Sequence, residues 1–379
     1  MKRTEKTAVL AAGGTGGHLF PAEALAEQLG RQGVRLSLIT DKRATEISGA
    51  LAEADIYRIS ASGVSGRSVI RRLCAIFGLC LGFIQAILFL RTIKPDVVVG
   101  FGSYASFPTV AAATLLGCRT VIHEQNAILG RANRFLAPRV TRIATAFEFV
   151  TNLKAKDRRK MVWTGNPLRP DIVAMSHKPY PKFDQNSNIN ILIFGGSQGA
   201  TIFSNIIPEA LLLLPQEMMI RIRIVQQCRE EDVARVQKVY REANIEAIVE
   251  PFFNDIATHI NWSHLVICRA GASTLAELAA AGRPAILVPF PHAIDDHQTR
   301  NAQGLCDAGG GWMIAQDAFT ARALASRLEA LCSIEHTLAM AAKCATKIGV
   351  PSAAERLSSL VMETLESDQI SRTEKRSAI

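Results

Sequence analysis

The chain has no Cys-x-x-Cys pair. Its eight cysteines (Cys74, Cys80, Cys118, Cys228, Cys268, Cys306, Cys332 and Cys344) are scattered, which excludes a zinc ribbon or a disulfide framework and fits a reducing compartment. Aromatic residues make up only 6%, too few for the stacking platforms of a nucleic-acid groove. No DNA- or RNA-binding signature is present, so no nucleic-acid partner is expected. There is no Asp-x-Asp pair. Behind Met1-Lys2-Arg3 no apolar run with a cleavage site follows, and a glycine loop opens almost at once, so no export signal is expected. What is present is a folded-protein composition: 379 residues, 48% hydrophobic and 20% charged, enough chain for two domains with their own cores.

The net charge of +9 is uneven. Residues 1–168 hold 23 Lys and Arg against 11 Asp and Glu, and residues 169–379 hold 20 against 23. Only the first half is therefore suited to an anionic partner, and with nucleic acid set aside a phospholipid surface is the expected one.

Short apolar runs alternate with longer amphipathic ones. Ala8–Ala12, Val34–Thr40, Ile56–Ser60, Asp96–Gly100, Arg119–His123 and Arg142–Ala146 read as strands, with helical patterns such as Pro21–Gln32 and Phe107–Leu116 between them. The second half repeats the scheme at Asn190–Phe194, Ile220–Gln226, Ile245–Glu250, Leu265–Cys268 and Ala285–Pro289. Each half opens with a strand and a glycine turn: Ala8 to His18, echoed by Ile191 to Ala200. The expected fold class is α/β, with two doubly wound Rossmann-like domains. The join is expected in the polar stretch from about Leu153 to Asn190, and the tail from residue 367 to 379 is expected to lack regular structure.

Leu73 to Leu90 is 18 residues without a charge. Three placements fit: a membrane span, a buried crossover helix, or an interfacial helix whose outer face dips into a bilayer. A span would break the sheet, and the arginines at 67, 71 and 72 favour the interfacial reading, with Ile76, Leu79 and Phe83 as membrane contacts.

Gly13-Gly-Thr-Gly-Gly-His18 follows a strand and precedes a helix, a setting in which backbone N–H groups and the helix N-terminus receive a phosphate. The alternative is a tight packing turn. A nicotinamide site does not fit, although Asp41 stands where a ribose ligand would: the third fingerprint glycine is replaced by Leu19. His18 near the helix start should stay neutral and able to accept a proton, or else simply caps the turn. Gly195-Gly-Ser-Gln-Gly199 forms a second nest. Thr274-x-x-Glu277 reads either as a capping box or as a carboxylate aimed at ribose hydroxyls. Asp295, Asp296, His297 and Gln298 read as sugar contacts in preference to metal ligands.

Taken in order, these phrases resemble glycosyltransferase family 28, the GT-B enzymes that add GlcNAc to undecaprenyl-diphospho-MurNAc-pentapeptide in peptidoglycan synthesis. The matching residues are Gly13 to His18, Lys94-Pro-Asp-Val-Val98, His123-Glu-Gln-Asn126, Gly165-Asn-Pro-Leu-Arg169, Gly195 to Ala200, Cys268-Arg-Ala-Gly-Ala272, Thr274 to Glu277, and His297-Gln298 with Asn301-Ala302. The resemblance implies an acceptor- and membrane-facing domain over 1–168, joined by a helix at about 352–366, and a UDP-sugar domain over 169–351. It implies inverting transfer to the C4 hydroxyl of MurNAc, with His18 as base and no resident cofactor or metal. Donor contacts carried over are Thr15, Gly16, Gly17 and Asn126 on one side, and Arg169, Ser197, Phe253 (through its main chain), Ala272, Ser273, Thr274, Leu275, Ala276, Glu277 and Gln298 on the other. Gly14, Gly102, Ser103 and Tyr104 are candidates for the acceptor diphosphate; Ser103 replaces an expected glycine. The implied partners are UDP-GlcNAc, the undecaprenyl-linked acceptor, an anionic membrane surface at the cytoplasmic face and other cell-wall synthesis proteins. The competing readings are a glycosyltransferase for another membrane lipid, a sugar-nucleotide epimerase and a non-catalytic UDP-sugar-binding subunit.

Overall fold

The computed structural model describes residues 5–13, 16–44, 47–61, 69–184, 187–196, 199–334 and 336–377. The chain divides into two compact units. One comprises residues 1–169 with 352–379, and the other residues 170–351.

In the first unit seven strands form one parallel sheet: β1 (Thr7–Ala11), β2 (Arg35–Thr40), β3 (Asp55–Arg58), β4 (Val97–Gly100), β5 (Arg119–Glu124), β6 (Arg142–Thr145) and β7 (Met161–Trp163). Their order is β3-β2-β1-β4-β5-β6-β7. The helices are α1 (Gly16–Arg31), α2 (Gly49–Ala52), α3 (Val69–Ile93), α4 (Ser103–Leu115), α5 (Arg131–Leu136) and, from the chain's end, α15 (Ala353–Ser377). Both sheet faces are covered, so the strands read as continuous apolar runs rather than alternating ones. Leu10, Leu38 and Val99 meet α1 and the α15 residues Leu357, Leu360 and Val361. Val9, Ile39 and Val98 meet Ala86 and Leu90 of α3 and Val110 of α4. Gln32 Nε2 donates to Ser358 Oγ at 2.9 Å, and Arg119 Nη1 donates to the Leu365 carbonyl. The strand order reverses between β1 and β4, and the carboxyl edge there is where open α/β sheets place ligands.

The second unit repeats the plan with six parallel strands, β8 (Ile189–Phe194), β9 (Ile222–Gln227), β10 (Glu246–Glu250), β11 (Leu265–Cys268), β12 (Ala285–Leu287) and β13 (Gly311–Met313), in the order β10-β9-β8-β11-β12-β13. Its helices are α6 (Pro170–Met175), α7 (Thr201–Leu212), α8 (Gln216–Met219), α9 (Glu230–Glu242), α10 (Ile256–Trp262), α11 (Ala272–Ala281), α12 (His297–Asp307), α13 (Ala321–Ser333) and α14 (Thr337–Ile348). The reversal here lies between β8 and β11.

Arg283 is 1% exposed, and no acid side chain pairs with it among the described residues. Its guanidinium donates to Ile260 O (2.9 Å), Asn261 O (3.1 Å) and Ala281 O (2.6 Å). It thus caps the carbonyl ends of α10 and α11, where the helix dipoles compensate a buried cation. Arg283→Met is expected to lower stability in urea unfolding by about 2–3 kcal/mol, because three charge-assisted bonds are lost and the carbonyls stay buried. Arg283→Lys should recover little, since an ammonium cannot span the fork.

Three expectations differ from the structure. The stretch from Leu153 to Asn190 contains β7, so part of the expected join completes the first sheet. Strand β13, entered from Gly309-Gly310, lies outside the expected set. Beyond Glu366 the backbone continues as helix to Ser377: extending a formed helix through Glu, Lys, Arg and Gln costs little compared with nucleating one.

The apolar segment is α3. Gly82 lies against the end of β3, where a Cβ would fall 2.1 Å from the Ser60 carbonyl. Gln85, the one polar residue of the segment, accepts from Ser60 N at 2.7 Å. α3 is long and apolar enough to cross a membrane, yet one side of it is packed on the sheet. The other side exposes Leu73, Ile76, Phe77, Leu81, Ile84 and Leu88. Ile76, Leu79 and Phe83 border an open groove of about 940 Å³ shared with Phe107 and Phe135. Leu79 and Phe83 are half-buried, while Phe77, not anticipated, is the most exposed at 73%.

Candidate active site

At the carboxyl edge of the first sheet, His18 occupies the first turn of α1. Its Nδ1 lies 2.8 Å from the Phe101 carbonyl, just past β4. A carbonyl only accepts, so Nδ1 carries the proton and Nε2 keeps its lone pair. Desolvation holds the ring below its ordinary pKa, the Phe101 bond opposes this, and the Arg43 charge adds to the lowering. The ring is thus neutral at pH 7, as a base must be.

The β4 loop is shaped around this histidine. Gly102 has φ +82° and ψ −162°, a region essentially closed to residues with a Cβ. Ser103 has φ +65°, where glycine would be unstrained. Its Oγ accepts from Ala105 N at 3.3 Å and lies 1.9 Å from where a Cβ on Gly13 would stand. The two glycine-bearing loops therefore touch backbone to side chain. Gly14 and Thr15 lie outside the described residues, and Gly16 and Gly17 begin α1.

β5 delivers the next phrase. Glu124 is 3% exposed. One oxygen accepts from Asn126 N (3.0 Å) and Asn126 Nδ2 (3.3 Å), the other from Gly130 N (2.8 Å) and Asn133 Nδ2 (2.9 Å). Burial raises its pKa, and these four bonds oppose the rise. Glu124 thus fixes the loop that presents Asn126. His123, fully buried, donates from Nε2 to Gly165 O at 3.0 Å. Arg169, at the end of that same phrase, sits in the first unit with its guanidinium 5.0 Å from the Phe20 ring centroid. Arg169 therefore ends the first unit, whereas the expected boundary after residue 168 places it in the second.

At the carboxyl edge of the second sheet, Gly195 passes so close to Ala200 that a Cβ would lie 2.5 Å from its N. Gly196 and Gly199 have positive φ. Ser197 lies outside the described residues. α11 begins at Ala272 with Gly271 as its N-cap, so Thr274 and Glu277 lie inside the helix and no capping box forms. Its start is fixed by the end of β11, not by a capping side chain. Ala272 and Leu275 face the core, which leaves them only backbone atoms to offer, and Ser273, Thr274, Ala276 and Glu277 are half-buried on the other side. Phe253 is buried with its ring 4.7 Å from that of His259, so its main chain is what remains for a ligand.

Gln298 Oε1 accepts from Ala270 N (3.2 Å) and Phe290 N (2.9 Å), tying the β11 and β12 loops together. Asp295 and Asp296 adopt φ of +55° and +54°, strain that only a constrained loop retains. Arg269, which the sequence marks only as part of the Cys268–Ala272 phrase, braces the same loop. It donates to Val288 O (3.1 Å), Pro289 O (3.3 Å) and Gln316 Oε1 (2.6 Å), and its guanidinium lies near the Phe290 ring. Among the described residues no three His, Cys, Asp or Glu side chains gather as a metal site would require.

Residues 8–145 match the glycosyltransferase family 28 N-terminal domain and residues 190–357 the family 28 C-terminal domain. A protein of Rhodospirillum rubrum named UDP-N-acetylglucosamine--N-acetylmuramyl-(pentapeptide) pyrophosphoryl-undecaprenol N-acetylglucosamine transferase is 51% identical over 357 residues, 94% of this chain and 92% of its own. A protein of the same name from Paramagnetospirillum magneticum is 50% identical over 353 residues, 93% of this chain and 95% of its own. Among solved structures, Acinetobacter baumannii MurG superposes with a TM-score of 0.75 at 32% identity, covering 94% of this chain and 99% of that one.

Proposed function

The chain belongs to glycosyltransferase family 28, and on that premise we propose that it moves GlcNAc from UDP-GlcNAc to the C4 hydroxyl of MurNAc in undecaprenyl-diphospho-MurNAc-pentapeptide. His18 Nε2 takes the proton of that hydroxyl as its oxygen attacks the anomeric carbon. The bond from that carbon to the UDP oxygen breaks on the opposite face, the configuration inverts, and a β-1,4 link forms. The observation that carries this role is the Phe101 hydrogen bond, which leaves Nε2 as the unprotonated nitrogen. The negative charge on departing UDP is met by the N–H groups that open α11, with Ser197 and the second glycine nest. Glu277 takes the ribose hydroxyls, Thr274 and Gln298 support the same ligand, and Thr15, Gly16, Gly17, Asn126 and Arg169 are the donor contacts of the first unit. The acceptor diphosphate is taken by Gly14 and the loop Gly102-Ser103-Tyr104.

The protein acts peripherally at the cytoplasmic face of the membrane. The exposed face of α3 enters the headgroup region, and the cationic first unit supplies attraction to anionic lipid.

The test is UDP release from UDP-GlcNAc with and without a short-chain version of the acceptor. Release that depends on the acceptor and yields a disaccharide supports the reading. UDP-GlcNAc binding without release makes the protein a binding subunit, and absence of both overturns the donor assignment.

A further inference from the structure

Asp41 has no part in the mechanism above, yet it is costly to place. It directly follows β2 and is 1% exposed. Its Oδ1 accepts from Arg43 N at 2.9 Å, and its Oδ2 accepts from Arg43 Nε at 3.1 Å and Nη2 at 2.5 Å. One carboxylate therefore holds both the backbone and the side chain of Arg43. The next residue, Ala44, is buried, and its carbonyl accepts from Arg58 Nη1 at 2.9 Å. The arginine itself remains 49% exposed. Burying a carboxylate is expensive, and pairing it with a half-exposed cation returns little stability. What the arrangement does achieve is aim. With Nε and Nη2 committed to Asp41, the planar guanidinium turns its Nη1 edge away from that carboxylate.

The sheet order fixes what lies beside it. Because β2 neighbours β1 and β1 neighbours β4, the loop over 41–44 stands next to the Gly13 turn and the loop over 101–104. The Arg43 guanidinium lies within electrostatic range of both the His18 ring and the Tyr104 side chain. Both are residues of the acceptor side as proposed above.

We infer that Arg43 is a binding residue for the acceptor's diphosphate, its free guanidinium edge taking a phosphate oxygen, and that Asp41 is the positioning residue that aims it. The inference rests on the acceptor reading under the proposed function. The ligand chemistry is a diphosphate, which donor, acceptor and membrane headgroup could each approximate.

The deciding experiment is steady-state kinetics of wild type, R43Q, R43K and D41N with a water-soluble short-chain acceptor and no vesicles, so headgroups contribute nothing. R43Q is expected to raise the acceptor KM about 30-fold while the UDP-GlcNAc KM stays within twofold. That factor corresponds to about 2 kcal/mol, the scale of one charge-assisted pair. R43K keeps the charge without the fork and should raise it about fivefold. D41N keeps the arginine but loosens its aim and should fall between them. Inorganic pyrophosphate should compete with the acceptor, about tenfold less well against R43Q. An acceptor KM within threefold of wild type in R43Q, or a donor KM that rises in step, overturns the inference. Should R43Q fail to fold, equal acceptor and donor effects in R43K overturn it instead. A wild-type protein that turns over no acceptor overturns the proposed function on which it rests, a different result from active wild type with an indifferent R43Q.

Discussion

Replacing His18 with alanine is expected to lower kcat about a thousandfold, within the 10²–10⁴ range of a lost general base, with UDP-GlcNAc affinity changed less than threefold. The expectation follows from the tautomer. A histidine that only capped α1 would accept from helix N–H groups through Nδ1, whereas here Nδ1 donates across to Phe101. Asparagine should be no better than alanine, since it can replace the donor but not the proton acceptor. The pH profile supplies a second reading of the same claim. The base works when neutral and its pKa lies below 6.5, so kcat/KM should rise with pH along an acid limb centred below pH 6.5. In His18→Ala that acid limb should vanish. A folded His18→Ala enzyme within tenfold of wild type, or a wild-type limb centred above pH 7, would remove His18 from the mechanism.

How far the sequence discloses this site depends on the range of the interactions involved. Val97-Val98-Val99 between a charged turn and a glycine can only be a buried strand, and every central strand is legible in that way. Strands β7 and β13 are not, because three-residue edge strands carry no periodicity and a partner strand alone defines them. The glycine turns are legible because their φ values exclude other residues. Gln85 and Gly82 stand out as exceptions in an apolar helix, but their purpose is a single contact with Ser60, 22 to 25 residues earlier. The same limit hides Glu124, whose partners Gly130 and Asn133 lie six and nine positions on.

Where spacing misleads, it does so for a physical reason. Thr274 and Glu277 have the separation of a capping box, yet the helix start is set upstream by Gly271, three residues past the end of β11. Both side chains are thereby turned from local capping to the flank of a helix whose N-terminus sits at the sheet edge. Asp41 likewise stands where a nucleotide fold would hold ribose, but its lone pairs are already taken by Arg43. A sequence shows which groups are present. Only the hydrogen-bond partners show which of their atoms are left to do chemistry.

His123 is buried without exposure, with Nε2–H bonded to Gly165 O and Nδ1 facing no partner among the described residues. Protonation would place a second N–H, and a charge, in the core. Desolvation accordingly pulls the pKa from 6.5 to about 4, against the Gly165 bond, with His18 adding slightly to the drop. In the unfolded chain the ring takes its proton near pH 6.5, whereas the folded protein refuses it until about pH 4. Stability is therefore complete above pH 6.5 and is lost as pH falls through that window, by about 2 kcal/mol at pH 5 and about 3 kcal/mol below pH 4. His18 and His264, both lowered chiefly by desolvation, act with the same sign. Glu124 acts oppositely: its raised pKa gives stability that is present below 4.5 and disappears as pH rises through the folded value. His123→Phe separates these contributions. At pH 7.5 it should cost about 1 kcal/mol for the lost Gly165 bond. Between pH 7.5 and 5 its urea midpoint should fall much less than that of wild type, so that the two stability curves cross. Parallel curves would mean that the acid sensitivity lies elsewhere and that the pairing of β5 with the Gly165 turn tolerates a charged ring.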